Sequence, residues 1–286
     1  MTRGVLMYAH NNRDVDYAQI AVVSAHFARK NLDLPVSLVT DKSTLEWMQL
    51  SDIYETAQSI FDTIITDQRP EANNTRKLQD MQSSHNVLFT NQNRASAWHL
   101  TPYNETLLID CDFLIQSNML NNYWNVDQSF LISSAALDIN LEDRMQYMDR
   151  YVSSTGPRML WATTIMFKKD SQSKLIFDLV GNIKKNYNMF SSLYRFDPLQ
   201  YRNDIAFSVA KHIVDGFEKS NDYYLPEILT TLDKDCLAQV NDRSLCFLVD
   251  KDLCGKYYAT SVANRDVHIM NKKSITRNYK ALLDSI

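Results

Sequence analysis

The stretch TPYNETLLIDCDFLI, residues 101–115, decides how the rest of the chain is read. Leu107, Leu108 and Ile109 form a continuous apolar run bounded upstream by Pro102 and Asn104, the pattern of a strand buried on both faces. It ends in two carboxylates. Side chains alternate along an extended chain, so the spacing predicts that Asp110 and Asp112 leave on one side while Cys111 points to the other. Paired carboxylates at the carboxyl end of a strand make a hard-oxygen site suited to Mn²⁺ or Mg²⁺, ions that keep waters and also take oxygens from a diphosphate. Such an ion neutralises charge building on a departing diphosphate.

The same spacing recurs at Asp14/Asp16, Asp233/Asp235 and Asp250/Asp252. The first pair lies in a polar loop and the second among Thr and Lys with no apolar strand before it, so both read as solvated turns. The third is a rival, because Cys246, Phe247, Leu248 and Val249 precede it as another buried-strand run. Two features favour 110/112. Alternating strands and helices stand in front of it, and no lysine sits between its acids.

Working outward, Val5 to Tyr8 is an expected strand, followed by a polar loop, His10 to Asp14, and a helix to about Lys30 with Ile20, Val23 and Phe27 on its apolar face. VSLVTD, residues 36–41, gives a second strand ending in an acid, then a helix through Leu50, and FDTII, residues 61–65, a third strand. Residues 67–74 read as a loop, and helical pieces are expected over 75–83 and 92–100. Beyond the motif, strands are expected at 130–135 and 161–167, and a helix at 141–151. One long helix is expected over 171–190, with Leu175, Ile176, Leu179 and Ile183 on one side. A further helix, 201–214, could be capped by Asn203, and short strands follow near 223–230 and 245–249.

This alternation predicts an α/β fold with a doubly wound, mostly parallel central sheet flanked by helices and a smaller subregion on the acceptor side. In such sheets ligands gather beyond the carboxyl ends of the strands. That rule places Ala9 and His10, Asp41, and the Asp110/Asp112 pair along one edge.

The 286 residues are 45% hydrophobic and 22% charged, with 5 Gly and 6 Pro, which fits a globular chain and not a linker-rich one. A formal charge of −4 gives no overall basic footprint for nucleic acid or anionic membrane. The amino-terminal apolar segment is too short for a signal peptide and no apolar run reaches membrane-span length, so the chain is expected to be cytoplasmic, without membrane association. Four cysteines without a CxxC pair read as small core residues.

The amino-terminal strand and loop, the strand ending in Thr40 and Asp41, the helix NRASAWHL leading into TPYNETLLIDCDFLI, and the terminal HIMNKKS together resemble glycosyltransferases of the GT-A fold, nearest the glycogenin-like and galactosyltransferase-like branch. The resemblance implies one catalytic domain over 1–286, with 1–115 as the nucleotide-binding half and 116–286 as the acceptor half carrying the C-terminal metal and phosphate segment. It implies a metal-dependent transfer of a hexosyl or pentosyl group from a nucleotide-diphosphate sugar, uridine-linked, to an acceptor, with Mn²⁺ or Mg²⁺ as cofactor. Retention at the anomeric carbon is the branch's usual outcome.

By that resemblance Asp110 lies near ribose and metal, Asp112 is the principal metal ligand, and His268 is the third, with a strand histidine as the alternative. Lys272 or Lys273 neutralises the diphosphate. Arg94 reaches the donor from the helix before the motif strand, and Ala9, His10, Asn11, Asp41 and Cys111 line the donor pocket. Thr163 and Thr164 stand where the family carries Asn, Ala and Gly, and Met270 and Asn271 where it carries glycine. Asp204 matches an acidic position that orients the acceptor or serves as a base, or else favours its helix dipole.

Two rivals stay open. A sugar nucleotidyltransferase uses the same fold, but with a Gly-rich first loop that AHNNRD lacks; a non-catalytic binding or structural protein is the other. The acceptor is a glycan, a protein or a small molecule. Arg265, Lys272, Lys273, Arg277 and Lys280 make a modified DNA base conceivable, and Tyr194, Phe196, Tyr201, Tyr223 and Tyr224 are either stacking surfaces or core.

Overall fold

In the first strand, Arg3–Tyr8, the residues Val5 to Tyr8 build a two-sided core because their side chains alternate between the sheet's faces. Val5 and Met7 join one apolar cluster and Leu6 and Tyr8 the other. In this computed structural model the described residues are 2–67, 75–79, 84–88, 93–141, 150–218, 224–241, 244–251 and 254–285, with backbone alone described for 75–79 and 84–88. All but the first residue of the expected loop 67–74, nearly all of the expected helix 141–151, Tyr223 and Asp252 lie outside them.

A six-stranded sheet forms the centre. Its order is Thr63–Thr66, Val36–Thr40, Arg3–Tyr8, the motif strand Glu105–Asp110, Trp161–Lys168 and Phe130–Ser133. Only Trp161–Lys168 runs against its neighbours. The parallel register sets Tyr8 opposite both Val39 and Asp110, so the loops after three strands open at one edge, as the α/β pattern requires.

Helix Tyr17–Leu32 covers one face, packing Ile20, Val23 and Phe27 inward. Helices Ser171–Lys185 and Asn203–Val214 cover the other, where Phe177 meets Phe130, Phe167 and Phe207 with ring centroids 4.7–6.0 Å apart. Among the described residues no helix is long and apolar enough to cross a membrane.

Several local expectations need correction. Residues 75–79, expected within a helix over 75–83, are a strand that pairs antiparallel with 84–88. The long helix stops at Lys185, where the Asn186 side chain turns back to the Asn182 carbonyl at 3.1 Å, and a second helix runs Tyr187–Tyr194. The apolar buried face of Ser171–Lys185 is Ile176, Phe177, Val180 and Ile183, leaving Leu175 exposed. Asn203 opens its helix without capping it, since Arg202 holds the cap position with no side-chain bond. Of the four free cysteines only Cys111 is buried.

Two smaller sheets complete the fold. Cys236–Asn241, Ser244–Asp250 and Tyr257–Ala263 form an antiparallel meander. The other sheet orders Phe113–Leu114, Val267–His268, Ile228–Thr230 and Ala136–Asp138, and it brings the end of the chain back to the motif. His268 pairs with Phe113. The Ile269 N–H then donates to the Asp112 carbonyl at 2.9 Å, and the Met270 N–H to Thr231 Oγ1 at 2.9 Å. Asp266 ties the same junction by accepting from the Gln116 and Ser117 N–H groups at 2.8 and 2.9 Å. Burial pushes its carboxyl up to about 6 against the pull of those donors.

Candidate metal centre

The motif strand ends at Asp110, and residues 111 and 112 form a turn before Phe113–Leu114. Convergence of the two acids is therefore a product of the turn, not of strand alternation alone. Cys111 goes into the apolar cluster with Leu107 and Ile109, where burial raises its thiol well above the ordinary value. The residue is 2% exposed.

Asp110, Asp112 and His268 each present an atom within 4.8 Å of the others. His268 Nε2 lies 3.2 Å from Asp112 Oδ1 and 3.9 Å from Asp110 Oδ2. Ligands at right angles about 2.1 Å from a small divalent ion stand about 3 Å apart, so this spacing fits such an ion with little movement. The cluster is a candidate metal centre.

Two built-in cations share it. Arg94, expected as a donor-reaching helix residue, is 2% exposed on the turn Arg94–Ser96, and its guanidinium bridges the Asp110 carboxylate and the Ala162 carbonyl. Lys272, the first residue of helix Lys272–Arg277, pairs with Asp112 Oδ2. Lys273 pairs with none of the three ligands. Burial works to raise the Asp112 carboxyl, but Lys272 and then His268 overcome it and hold it far below the usual carboxylate range. Burial raises Asp110, Arg94 opposing and Asp112 adding to the rise. Two carboxylates against one guanidinium and one ammonium leave these four groups formally neutral. A divalent ion joining them brings two positive charges that an incoming diphosphate would balance.

Asp204 is committed elsewhere. Its Oδ1 accepts the Ala162 N–H at 2.9 Å and its Oδ2 meets Arg202 Nη2 at 3.4 Å. With the Ala162 carbonyl on Arg94, a line of hydrogen bonds runs from Asp204 through the backbone of residue 162 to Arg94 and Asp110. Sequence pattern alone gave no sign of this role for Ala162.

The first loop is braced rather than free. Ala9 is fully buried, its N–H on Val39 and its carbonyl accepting from Thr40. Asn11 holds Thr44, Asp16 and the Ala18 N–H. Asp41 caps helix Lys42–Gln49, accepting from the Thr44 N–H at 2.8 Å and from the Ser43 and Thr44 hydroxyls. His10 keeps a buried Nδ1 without a hydrogen-bond partner, and burial lowers its basicity while Asp41 and Asp67 oppose the drop. Thr164 is bonded to Ser133, while Thr163 is buried one position beyond the pair Thr164–Ile109.

One acid of each rival pair serves backbone. Asp16 caps the first long helix. Asp235 accepts from Leu232 and Asp250 N–H groups, and Asp250 from Gly255.

No protein-family model matches the sequence, and no curated protein matches it. Among solved structures the chain is similar to the glycosyltransferase GlyE of Streptococcus pneumoniae TIGR4, with 12% identity over 68% of this chain and 44% of that one and a TM-score of 0.39. It is similar to the galactosyltransferase LgtC in complex with donor and acceptor sugar analogs, with 15% identity, 71% and 68% coverage and a TM-score of 0.42. It is also similar to mouse xyloside xylosyltransferase 1, with 8% identity, 74% and 82% coverage and a TM-score of 0.41. The chain spans less than half the length of GlyE. These neighbours are glycosyltransferases, the class the sequence resembles. At such identities and TM-scores the functional reading rests on the chain's own residues.

Proposed function

We propose that the chain is a single-domain, metal-dependent glycosyltransferase that moves a hexosyl or pentosyl group from a uridine-diphosphate sugar. One observation carries the reading: Asp110, Asp112 and His268, the last 156 positions beyond Asp112, converge at the carboxyl edge of a mostly parallel sheet. Mn²⁺ or Mg²⁺ held by these three would supply positive charge to the leaving diphosphate.

The chain's own groups do the rest. Lys272 exchanges Asp112 for a phosphate oxygen as the donor enters, which restores the charge balance of the site. Arg94 stays on Asp110 and fixes its orientation, and Asp204 fixes Ala162 and through it Arg94. The loop carrying His10 borders the nucleoside, and the Thr163 hydroxyl reaches the donor sugar. With Asp204 engaged by a backbone N–H, no general base is assigned to it, in keeping with retention of configuration.

The test is turnover of a panel of nucleotide sugars with and without Mn²⁺. The expected result is metal-dependent hydrolysis of a uridine-linked donor that Asp112→Ala abolishes. Unchanged turnover in that variant removes the metal assignment, and pyrophosphate release from a nucleoside triphosphate and a sugar phosphate would assign the nucleotidyltransfer reaction instead.

A further inference from the structure

A cavity of about 920 Å³ opens beside the carboxylates, not over them. Its volume lies near the top of the range, ~300–1,000 Å³, of pockets that enclose small organic ligands. Two routes join it to the metal centre. Trp161 forms part of its wall, and the next residue, Ala162, is the one whose carbonyl Arg94 holds. Asp138, also in the wall, is in register with Thr230, which is in register with His268. Two strand spacings put the backbones of Asp138 and His268 about 10 Å apart.

The rim is unusual for a surface. Leu141, Tyr151 and Phe217 are 70%, 59% and 64% exposed, and all three line this cavity. Leu141 and Phe217 also sit at φ of 56° and 66°, a region that bulky side chains avoid. Neither burial nor backbone preference accounts for large apolar groups at those positions. Strain of this kind marks ligand clamps when the surrounding structure maintains it. Trp161 and Tyr224 add partly buried aromatic surface deeper in.

The polar lining is mixed. Four carboxylates, Asp138 and Glu227 among them, face the three cations Arg150, Arg158 and Lys211. Lys211 is already paired with Asp215 at 2.6 Å. A polyphosphate strand needs a surplus of positive charge, which this surface lacks. Carboxylate and guanidinium groups set beside aromatic rings suit hydroxyls on a ring with apolar C–H faces, the rings meeting the C–H faces and the charged groups the hydroxyls.

We propose that this cavity is the acceptor site and that the acceptor is an uncharged carbohydrate, clamped by Tyr151 and Phe217 with its reactive hydroxyl directed past Trp161 toward the metal centre. The assignment rests on the transfer reaction proposed above. In that reaction the acceptor hydroxyl oxygen bonds to the anomeric carbon of the nucleotide sugar as the bond from that carbon to the diphosphate oxygen breaks. The bonding pair leaves with the nucleoside diphosphate, which also takes up the hydroxyl proton.

The experiment measures binding by saturation-transfer NMR with methyl glucoside, methyl galactoside, lactose and maltose, alongside a single-stranded DNA oligonucleotide. It compares the wild type with Tyr151→Ala/Phe217→Ser, whose substituted side chains are exposed and outside the metal centre. The expected result is binding of at least one saccharide, weakened tenfold or more in the double variant, with affinity for uridine diphosphate and Mn²⁺ unchanged. Binding to none of the four saccharides, equal binding in the variant, or binding of the oligonucleotide alone would overturn the proposal. Saccharide binding lost in the variant, together with a wild type that turns over no nucleotide sugar, would support the cavity and count against the transfer reaction.

Discussion

Lys272→Met separates the two roles assigned to that lysine. In the absence of metal its ammonium is the strongest partner of Asp112, whose side chain is 7% exposed while that of Lys272 is 12% exposed. Breaking a buried ion pair by removing one member costs about 3–5 kcal/mol, because the remaining charge is left uncompensated. At roughly 2 °C per kcal/mol, the low end of the range for 150–250 residues because this chain is longer, the melting temperature in EDTA should fall by about 6–10 °C. Mn²⁺ should then recover what the lysine supplied. At one hundred times its dissociation constant a ligand stabilises by about 2.7 kcal/mol, a rise of about 5 °C.

The wild type should behave in the opposite way. Mn²⁺ alone must displace Lys272 and should raise the melting temperature little, whereas Mn²⁺ with uridine diphosphate should raise it strongly. Differential scanning fluorimetry in EDTA, Mn²⁺, uridine diphosphate and both together reads all of these. A variant as stable as the wild type in EDTA, or one that gains nothing from Mn²⁺, would refute the reasoning.

Three further outcomes follow from particular contacts. Asp204→Asn keeps an oxygen for the Ala162 N–H and should retain kcat within a few-fold, whereas a general base lost at this position would cost about 10²–10⁴; steady-state kinetics distinguishes them. Gly4→Ala would set a Cβ 2.3 Å from Tyr103 Cζ, so chemical denaturation should show a loss of about 1–3 kcal/mol that Tyr103→Ala partly relieves. Burial lowers Lys184 from an ordinary 10.5 to about 8. The unfolded chain then binds the extra proton between about pH 8 and 10.5, so stability should rise with pH across that window. Lys184→Met should flatten the rise in a melting-temperature profile and modestly stabilise the chain at pH 7, the partial exposure of the lysine keeping the gain small.

The parts of the fold legible in the sequence are those where a residue's local pattern and its tertiary environment agree. Leu107 to Ile109 are apolar on both faces because both faces are covered, and Ile20, Val23 and Phe27 share a face because one sheet lies beneath them. Residues 75–79, expected as helix, form a strand because they pair with 84–88, and polar strands carry little apolar periodicity. The break at Asn186 depends on a side chain folding back one turn, which composition does not display.

At the site, Asp110, Asp112 and His268 were legible as types of ligand. What joins His268 to them is a two-residue strand pairing and the bond from Ile269 to Asp112, neither with a sequence signature. Asp41 and Asn11, which the resemblance sets along the donor pocket, spend their side-chain bonds on capping a helix and bracing the loop, contacts that no local pattern displays. Arg94, which the resemblance has reaching the donor, is buried against Asp110; nothing local to residue 94 tells that Ala162 supplies a carbonyl for it.

Isothermal titration calorimetry of uridine diphosphate in the presence of Mn²⁺, on the wild type and on Asp112→Asn and His268→Ala, bears most directly on the shared cation. The account predicts binding in the wild type that disappears when Mn²⁺ is replaced by EDTA and falls at least tenfold in each variant. Nucleotide binding of equal strength in EDTA, or undiminished in both variants, would contradict it.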